Sequence, residues 1–178
     1  MALYRLGEHK VAEADLDVTI PPHTTSTFGV EQILGRFTDA ACAYNFGPPG
    51  HDLIVASLHR HRNDIPFAQS FRFPAGRTTQ KNPIADAGIT AESKILANGA
   101  IEILLRSRRL VWGARVAATG FQPDEAWFGI EPSGQRRLVL TPFRAAGAGD
   151  LVACQFENVV LTALNLEGRL LIPLGVSQ

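Results

Sequence analysis

The stretch Ala41-Cys-Ala-Tyr-Asn-Phe-Gly-Pro-Pro-Gly-His-Asp-Leu-Ile-Val-Ala-Ser-Leu58 contains two apolar runs separated by Gly47-Pro48-Pro49-Gly50. Proline fixes φ and glycine readily adopts positive φ, so the separating residues predict the turn of a β-hairpin. The second run, residues 52–59, is apolar on both of its faces. Such a strand is typical of the middle of a sheet, and we expect it to lie centrally in a β-sandwich.

The remainder of the chain repeats this pattern of short strands and turns. Turn signals recur about every 8–12 residues, and no long segment has helical periodicity, which favours β-sandwiches. The sequence therefore predicts an all-β fold with two consecutive immunoglobulin-like antiparallel β-sandwiches. Further strands are predicted at residues 16–20, 101–106, 110–116, 127–130, 138–142, 152–156 and 159–164, and Phe67, Phe71 and Phe73 mark another.

One short helical turn interrupts the predicted strands. Hydroxyls at residues 24–27 are expected to cap its start, and Gly35 is expected to end it. Val30, Ile33 and Leu34 would form its apolar face, and Phe37 is predicted to fill the core below it.

The best domain boundary lies between Pro74 and Gly88, where polar and turn-forming residues replace the apolar alternation. We predict a first domain at residues 1–78, a linker at 79–88 and a second domain at 89–178. Cys42 and Cys154 would then lie in different domains, which favours two free thiols over a disulfide.

Composition excludes some partners. Seventeen basic and seventeen acidic side chains cancel, so no net positive field would attract nucleic acid or anionic lipid. No apolar run approaches the roughly 20 residues that span a bilayer, so no membrane partner is expected. The N-terminus lacks the pattern of a signal peptide and opens almost inside a strand, as a piece cut from a larger chain would. The cellular compartment stays open.

Residues with catalytic or metal-binding chemistry are present, but they form no motif. His59 and His61 share one face of a predicted strand end without further ligands at suitable spacing, so a solvated strand end is favoured over a zinc site. Neither a catalytic residue nor a metal or cofactor is predicted. A glycosidase would need two carboxyl groups about 5–10 Å apart, and no spacing pairs any of the candidates Asp39, Asp52, Glu102, Asp124, Glu125, Glu131 and Glu157.

The two tryptophans are the candidate sugar-stacking platforms. Trp112 is in phase with Leu110 and Val116, which favours burial in the core. Trp127 lies next to a turn and leaves both alternatives open, with Trp127 and Phe128 as the candidate pair for contact with sugar or with another domain. The pairs Arg108-Arg109 and Arg136-Arg137 are interpreted as solvent-facing strand ends.

Two groups of motifs resemble the C-terminal part of family 2 glycoside hydrolases of the β-mannosidase type. Residues 20–26, 37–39, 43–49 and 73–74 resemble the Ig-like domain that follows the catalytic barrel. Residues 120–121, 127–134 and 137–140 resemble the terminal Ig-fold domain, which has an Asp-Asn-aromatic-Phe run and then a Pro-Gly turn leading to an alternating strand. Here Glu125 and Ala126 replace Asp-Asn, and Ser133 is inserted between Pro132 and Gly134.

This resemblance implies a non-catalytic accessory role. The catalytic glutamates of the family belong to a (β/α)8 barrel, and 178 residues are too few to contain one beside these domains. The implied function is that of two sandwiches packing on the barrel of a β-mannosidase-like enzyme, with that barrel as partner and carbohydrate as a further candidate partner. A sugar-binding module and a purely structural Ig-like pair are the competing interpretations.

Overall fold

The computed structural model describes residues 1–41, 47–62, 64–77, 79–143 and 159–174. The chain divides into two compact units, Met1–Arg77 and Thr78–Gln178. Each unit is described by itself below. Cys42, Cys154 and the strand predicted at residues 152–156 lie outside the described residues.

Unit 1 contains one four-stranded antiparallel sheet with the order β2-β1-β3-β4 among its described residues. Both inner strands are buried on their two faces, since Leu3, Tyr4, Leu53, Ile54 and Val55 are all at most 7% exposed. The central position in a sheet predicted for residues 52–59 is therefore confirmed, with β1 and β4 as the two neighbours of β3. Residues 42–46, which belong to the other run of the predicted hairpin, lie outside the described residues. The strands are β1 (Ala2–Arg5), β2 (His9–Glu13), β3 (Leu53–Leu58) and β4 (Ala68–Arg72).

The predicted helical turn is present as α1, Val30–Leu34, and it ends at Gly35 in the left-handed conformation as expected. Its N-cap is Gly29, without a side-chain hydrogen bond, so the prediction of a hydroxyl cap is wrong. Phe37 is 74% exposed and does not fill the core. The alternating residues 16–20 form no strand, because alternation produces a strand only where a neighbouring strand accepts its hydrogen bonds.

Unit 2 contains two four-stranded antiparallel sheets, with the orders β6-β7-β11-β9 and β10-β8-β12-β14. A short parallel pair, β5 with β13, forms a separate two-stranded sheet. The strands are β5 (Asn82–Pro83), β6 (Thr90–Ile95), β7 (Ile101–Arg106), β8 (Val111–Ala118), β9 (Phe121–Pro123), β10 (Phe128–Ile130), β11 (Gln135–Pro142), β12 (Val159–Ala163), β13 (Leu166–Glu167) and β14 (Leu170–Ile172).

The inner faces of these two sheets form a single core. Ile103 and Leu138 from one sheet and Val116 and Leu161 from the other belong to the same buried cluster and are at most 1% exposed. Two sheets packed around one apolar layer define a β-sandwich. The all-β prediction is thus confirmed, and residues 101–106, 128–130, 135–142 and 159–163 form strands close to where the sequence predicts them.

The strand order of unit 2 is that of a constant-type immunoglobulin domain. Taken in chain order as A to G, strands β6, β7, β8, β9, β11, β12 and β14 make the sheets ABED and CFG, and β10 is an extra strand beside C. The described residues of unit 1 form one sheet, so a second Ig-like sandwich there stays a prediction.

Part of the predicted linker belongs to unit 2. Strand β5 is followed by a 3-10 helix at Ile84–Ala87, and Ala87 is buried in the sandwich core. The carbonyl of Ala87 accepts hydrogen bonds from the Ser107 hydroxyl at 3.1 Å and from the backbone N–H groups of Arg108 and Arg109. The polar and turn-forming residues of the predicted linker, 79–88, thus include a short helix whose backbone is hydrogen-bonded to unit 2.

A β-bulge in β8 changes which residues face the core. Gly113 has φ +60°, and the pairs Phe128–Ala114 and Ile130–Val111 show that two residues of β8 oppose one residue of β10. Val111 therefore lies on the same face as Ala114. The predicted inner face containing Trp112 is wrong on that point, because the extra residue shifts the alternation by one position.

Candidate functional site

The candidate site is a row of side chains on the outer face of the sheet β10-β8-β12-β14. The register pairs Arg115 of β8 with Thr162 of β12, and both residues are exposed. Trp127 directly precedes Phe128, which pairs with Ala114, and Arg169 directly precedes Leu170, which pairs with Leu161. Both residues are exposed, and continuing the two ladders by one residue would place Trp127 beside Arg115 and Arg169 beside Thr162. We call Trp127, Arg115, Thr162 and Arg169 the Trp127 row.

A second row lies beside the first on the same face. Ala117, Val160 and Leu171 are in register across β8, β12 and β14, and Leu171 is 55% exposed. We call these three residues the apolar row. Neither row contains an acidic side chain, so this face combines one large aromatic ring, two guanidinium groups, one hydroxyl and an apolar strip.

The predicted pair Trp127 and Phe128 is divided between the two faces of the sheet. Trp127 is 58% exposed, whereas Phe128 is 5% exposed and belongs to the core cluster. Consecutive residues in an extended chain point to opposite faces, so the two rings cannot share one surface. Phe128 is therefore a core residue, and the candidate contact reduces to Trp127.

The loop that carries Trp127 is bonded to β11 through its two acidic residues. The backbone N–H of Asp124 donates to the carbonyl of Val139 at 2.9 Å, and the Asp124 carboxylate accepts from the Val139 N–H at 3.1 Å. The Glu125 carboxylate accepts from Nε of Arg136 at 3.0 Å and also pairs with its Nη2. These bonds tie the loop to β11 two and three residues before Trp127.

Arg136 differs from its prediction as a solvent-facing strand end. Its side chain is 10% exposed, because β11 turns it toward the same side as Leu138 and Leu140. Burial of a guanidinium requires a partner, and Glu125 supplies the carboxylate. Arg137, one residue further, is exposed as predicted.

The opposite outer face, on the sheet β6-β7-β11-β9, has a different composition. Arg106 pairs with Glu92, and Arg137 lies 3.5 Å from the Glu102 carboxylate. Each of these arginines thus has an acidic neighbour on an adjacent strand, whereas no ion pair of Arg115 or Arg169 is found among the described residues.

Four of the seven candidate glycosidase acids are held by structural bonds. Glu102 and Glu125 pair with arginines, Asp124 binds β11, and Asp52 accepts the backbone N–H of Leu6 at 2.8 Å. Asp39 and Glu131 also have interaction partners, and Glu157 lies outside the described residues. The bonds given for Glu102, Glu125, Asp124 and Asp52 stabilise the strands and loops around them.

The two histidines considered for zinc lie in the connection between β3 and β4. Nδ1 of His59 hydrogen-bonds the carbonyl of Asp64 at 2.8 Å, and the backbone N–H of His61 donates to the Asp64 carboxylate at 3.2 Å. Within the ranges that the structure describes, no three His, Cys, Asp or Glu residues are grouped to hold a metal ion. Within the same ranges, no helix is both long and apolar enough to cross a bilayer.

Trp112 is half-buried beside the bulge, and its backbone takes part in hydrogen bonds with the Asn165 side chain. Its backbone N–H donates to the Asn165 side-chain carbonyl at 2.8 Å, while the Asn165 amide donates to the carbonyl of Leu110 at 2.9 Å. Asn165 thereby satisfies the β8 backbone where the regular ladder ends.

Sequence reasoning singled out Trp127 but not the other members of its row. Arg115, Thr162 and Arg169 come from three separate segments, and only the strand register brings them together. The alternation of β8 carries the signal for an outward Arg115. Its neighbours cannot be read from one strand alone.

The chain is therefore an all-β protein whose unit 2 is an Ig-type sandwich. One outer face of that sandwich has an exposed tryptophan and exposed arginines. Comparisons with protein families, with curated proteins and with solved structures found no match.

Proposed function

We propose that the chain is a non-catalytic accessory region of a β-mannosidase-like glycoside hydrolase and that it contacts carbohydrate through Trp127. The observation that carries the proposal is the location of the family-like motif in unit 2. Residues 127–130 lead through β10 to the turn Glu131–Gly134, which opens into the alternating strand β11. That order of aromatic run, turn and strand is the one on which the resemblance rests.

The exposed apolar side chains of unit 1 support packing against another domain. Phe37 and the alternating residues Leu16, Val18 and Ile20 are all more than 40% exposed. An exposed patch of large apolar side chains is typical of a surface that packs on a partner, and the proposal assigns these four residues to such a surface. In this proposal the partner is the catalytic barrel of the parent chain.

The first test is the reading frame upstream of Met1. We expect it to encode a barrel, and the longer protein to hydrolyse 4-nitrophenyl β-mannoside while the 178-residue chain does not. Replacing Leu16, Val18 and Ile20 with serine is expected to lower the melting temperature of the longer protein more than that of the short chain. A reading frame that starts at Met1 would overturn the accessory role.

The second test measures sugar contact in the chain itself. Because Trp127 and Trp112 are the two tryptophans, a Trp112→Phe variant leaves Trp127 as the sole reporter. We expect β-1,4-mannotriose to shift its fluorescence, and Trp127→Ala to abolish binding measured by calorimetry. Mannotriose binding that survives Trp127→Ala would reject this contact and assign the sugar to another surface. No mannotriose binding by the chain at all would leave the structural Ig-like pair as the competing function.

A further inference from the structure

We infer that the Trp127 row is a binding site for an acidic carbohydrate, in which Arg115 and Arg169 bind sugar carboxylates and Trp127 supports a sugar ring. This inference rests on the proposed contact with carbohydrate and adds the chemical class of the ligand. Arg115 pairs with Thr162 across β8 and β12, and Arg169 directly precedes β14, the neighbour of β12 on its other side.

The guanidinium groups determine the charge of the ligand. A guanidinium donates two parallel hydrogen bonds to a carboxylate, and this geometry is its strongest recognition mode. On the opposite sheet, Arg106 and Arg137 find such carboxylates within the protein. Arg115 and Arg169 are exposed, and no carboxylate pairs with them among the described residues, so an external anion can provide that partner.

The spacing of the row suits a short oligosaccharide. Adjacent strands are about 4.8 Å apart, so Arg115 and Arg169 are separated by about 10 Å at the backbone, with Trp127 about 5 Å beyond Arg115. The Thr162 hydroxyl between the two arginines can donate and accept hydrogen bonds to sugar hydroxyls. An extended chain of a few sugars would therefore contact the Trp127 indole, the Arg115 guanidinium, the Thr162 hydroxyl and the Arg169 guanidinium in that order.

The surroundings favour carbohydrate over other anions. A nucleic-acid surface combines a strong positive field with stacking positions for successive bases. This chain has no net charge, and its row offers one exposed indole. Indole faces pack on the C–H side of a pyranose ring, and the adjacent apolar row continues that contact.

The test compares two trisaccharides that differ only at C6. β-1,4-Mannuronate trisaccharide carries carboxylates where β-1,4-mannotriose carries hydroxymethyl groups. Calorimetry on the full chain should give an affinity at least about tenfold higher for the acidic sugar at low salt. In 1 M NaCl the two affinities should converge, because salt screens an exposed charge pair.

Three variants assign the contacts. Arg115→Gln with Arg169→Gln should remove the preference for the acidic sugar, and Trp127→Ala should weaken both sugars at least about tenfold. The matched control, Arg106→Gln with Arg137→Gln on the opposite sheet, removes the same charge and should leave both affinities unchanged. Equal loss in that control would show a general charge effect and overturn the site.

The outcomes separate this inference from the proposed function. If mannotriose binds through Trp127 and the acidic sugar binds no better, the acidic specificity is wrong and the carbohydrate contact stands. If neither sugar binds, both fail. Tighter binding of a thymidine octanucleotide, or of vesicles containing phosphatidylserine, would assign the arginines to another anion and overturn the carbohydrate class.

Discussion

The two sheets of unit 2 share one core and differ on their outer faces. On the sheet β6-β7-β11-β9, the arginines Arg106 and Arg137 pair with carboxylates on neighbouring strands. On the sheet β10-β8-β12-β14, Arg115 pairs with Thr162, and Trp127 directly precedes the residue that pairs with Ala114. Cross-strand ion pairs join acids and arginines on the first face, whereas on the second face no ion pair of Arg115 or Arg169 is found within the described ranges.

The difference shows that two sheets with the same kind of buried inner face can have different charge pairing on their outer faces. Every strand contributes alternate residues to the core, and the other residues are free to differ. Substitutions at inner and outer positions of the two sheets should therefore differ in their effect on the free energy of unfolding. Both tryptophans belong to unit 2, so their fluorescence during urea unfolding reports on this unit.

The largest effect is expected inside the core. Leu161→Ala should lower the free energy of unfolding by about 2–5 kcal/mol, because Leu161 is fully buried and its truncation leaves a cavity. Val160→Ala, the adjacent residue on the outer face, should cost about 1 kcal/mol or less. Similar costs for the two variants would contradict the assignment of inner and outer faces.

The next effect compares a buried with an exposed ion pair. Arg136→Gln should cost about 1.5–3 kcal/mol, because it removes charge-assisted hydrogen bonds to Glu125 in a nearly buried site. Arg137→Gln, whose pair with Glu102 is solvent-exposed, should cost at most about 1 kcal/mol.

The same pair of variants tests the loop that carries Trp127. Loss of the Glu125 anchor should also change the fluorescence of Trp127 in folded protein, with Trp112→Phe as background. An unchanged spectrum together with equal costs for Arg136→Gln and Arg137→Gln would mean that Arg136 does not position the loop.

A smaller effect is expected at the bulge of β8. Gly113→Ala should cost about 1–3 kcal/mol, because its φ is +60° and a Cβ there would lie 2.6 Å from Cδ1 of Leu164. Combining it with Leu164→Ala should recover part of the cost, as a double-mutant cycle would measure. Exact additivity would show that the close approach to Leu164 plays no part.

The smallest effect is expected in the turn that joins β10 of one sheet to β11 of the other. Ser133 has φ +60° at the third position of the turn Glu131–Gly134, where glycine is favoured. Ser133→Gly should raise the free energy of unfolding by roughly 0.5–1 kcal/mol, since relief of strain exceeds the added chain entropy. Destabilisation in the same urea assay would indicate that the serine side chain stabilises the turn.

The predictable part of the fold came from residues whose environment is local. Alternation in residues 101–106 and 138–142 indicated strands of unit 2, observed at Ile101–Arg106 and Gln135–Pro142, and Gly35 marked the end of α1. Residues 16–20 show the same alternation without a strand, because pairing depends on a distant partner. The candidate site shows the same limit. The sequence indicated Trp127, but it did not indicate that Phe128 faces the core or that arginines lie near Trp127.

By itself, the sequence determined an all-β chain, its β-turns and the apolar content of the core, since these follow from dihedral preferences and from a period of two residues. Tertiary structure alone decided the register, the bulge at Gly113 and the burial of Arg136. It also assembled Trp127, Arg115, Thr162 and Arg169 from separate segments. The physical reason is that cross-strand neighbours are chosen by hydrogen bonds between segments far apart in the chain, and one inserted residue exchanges the two faces.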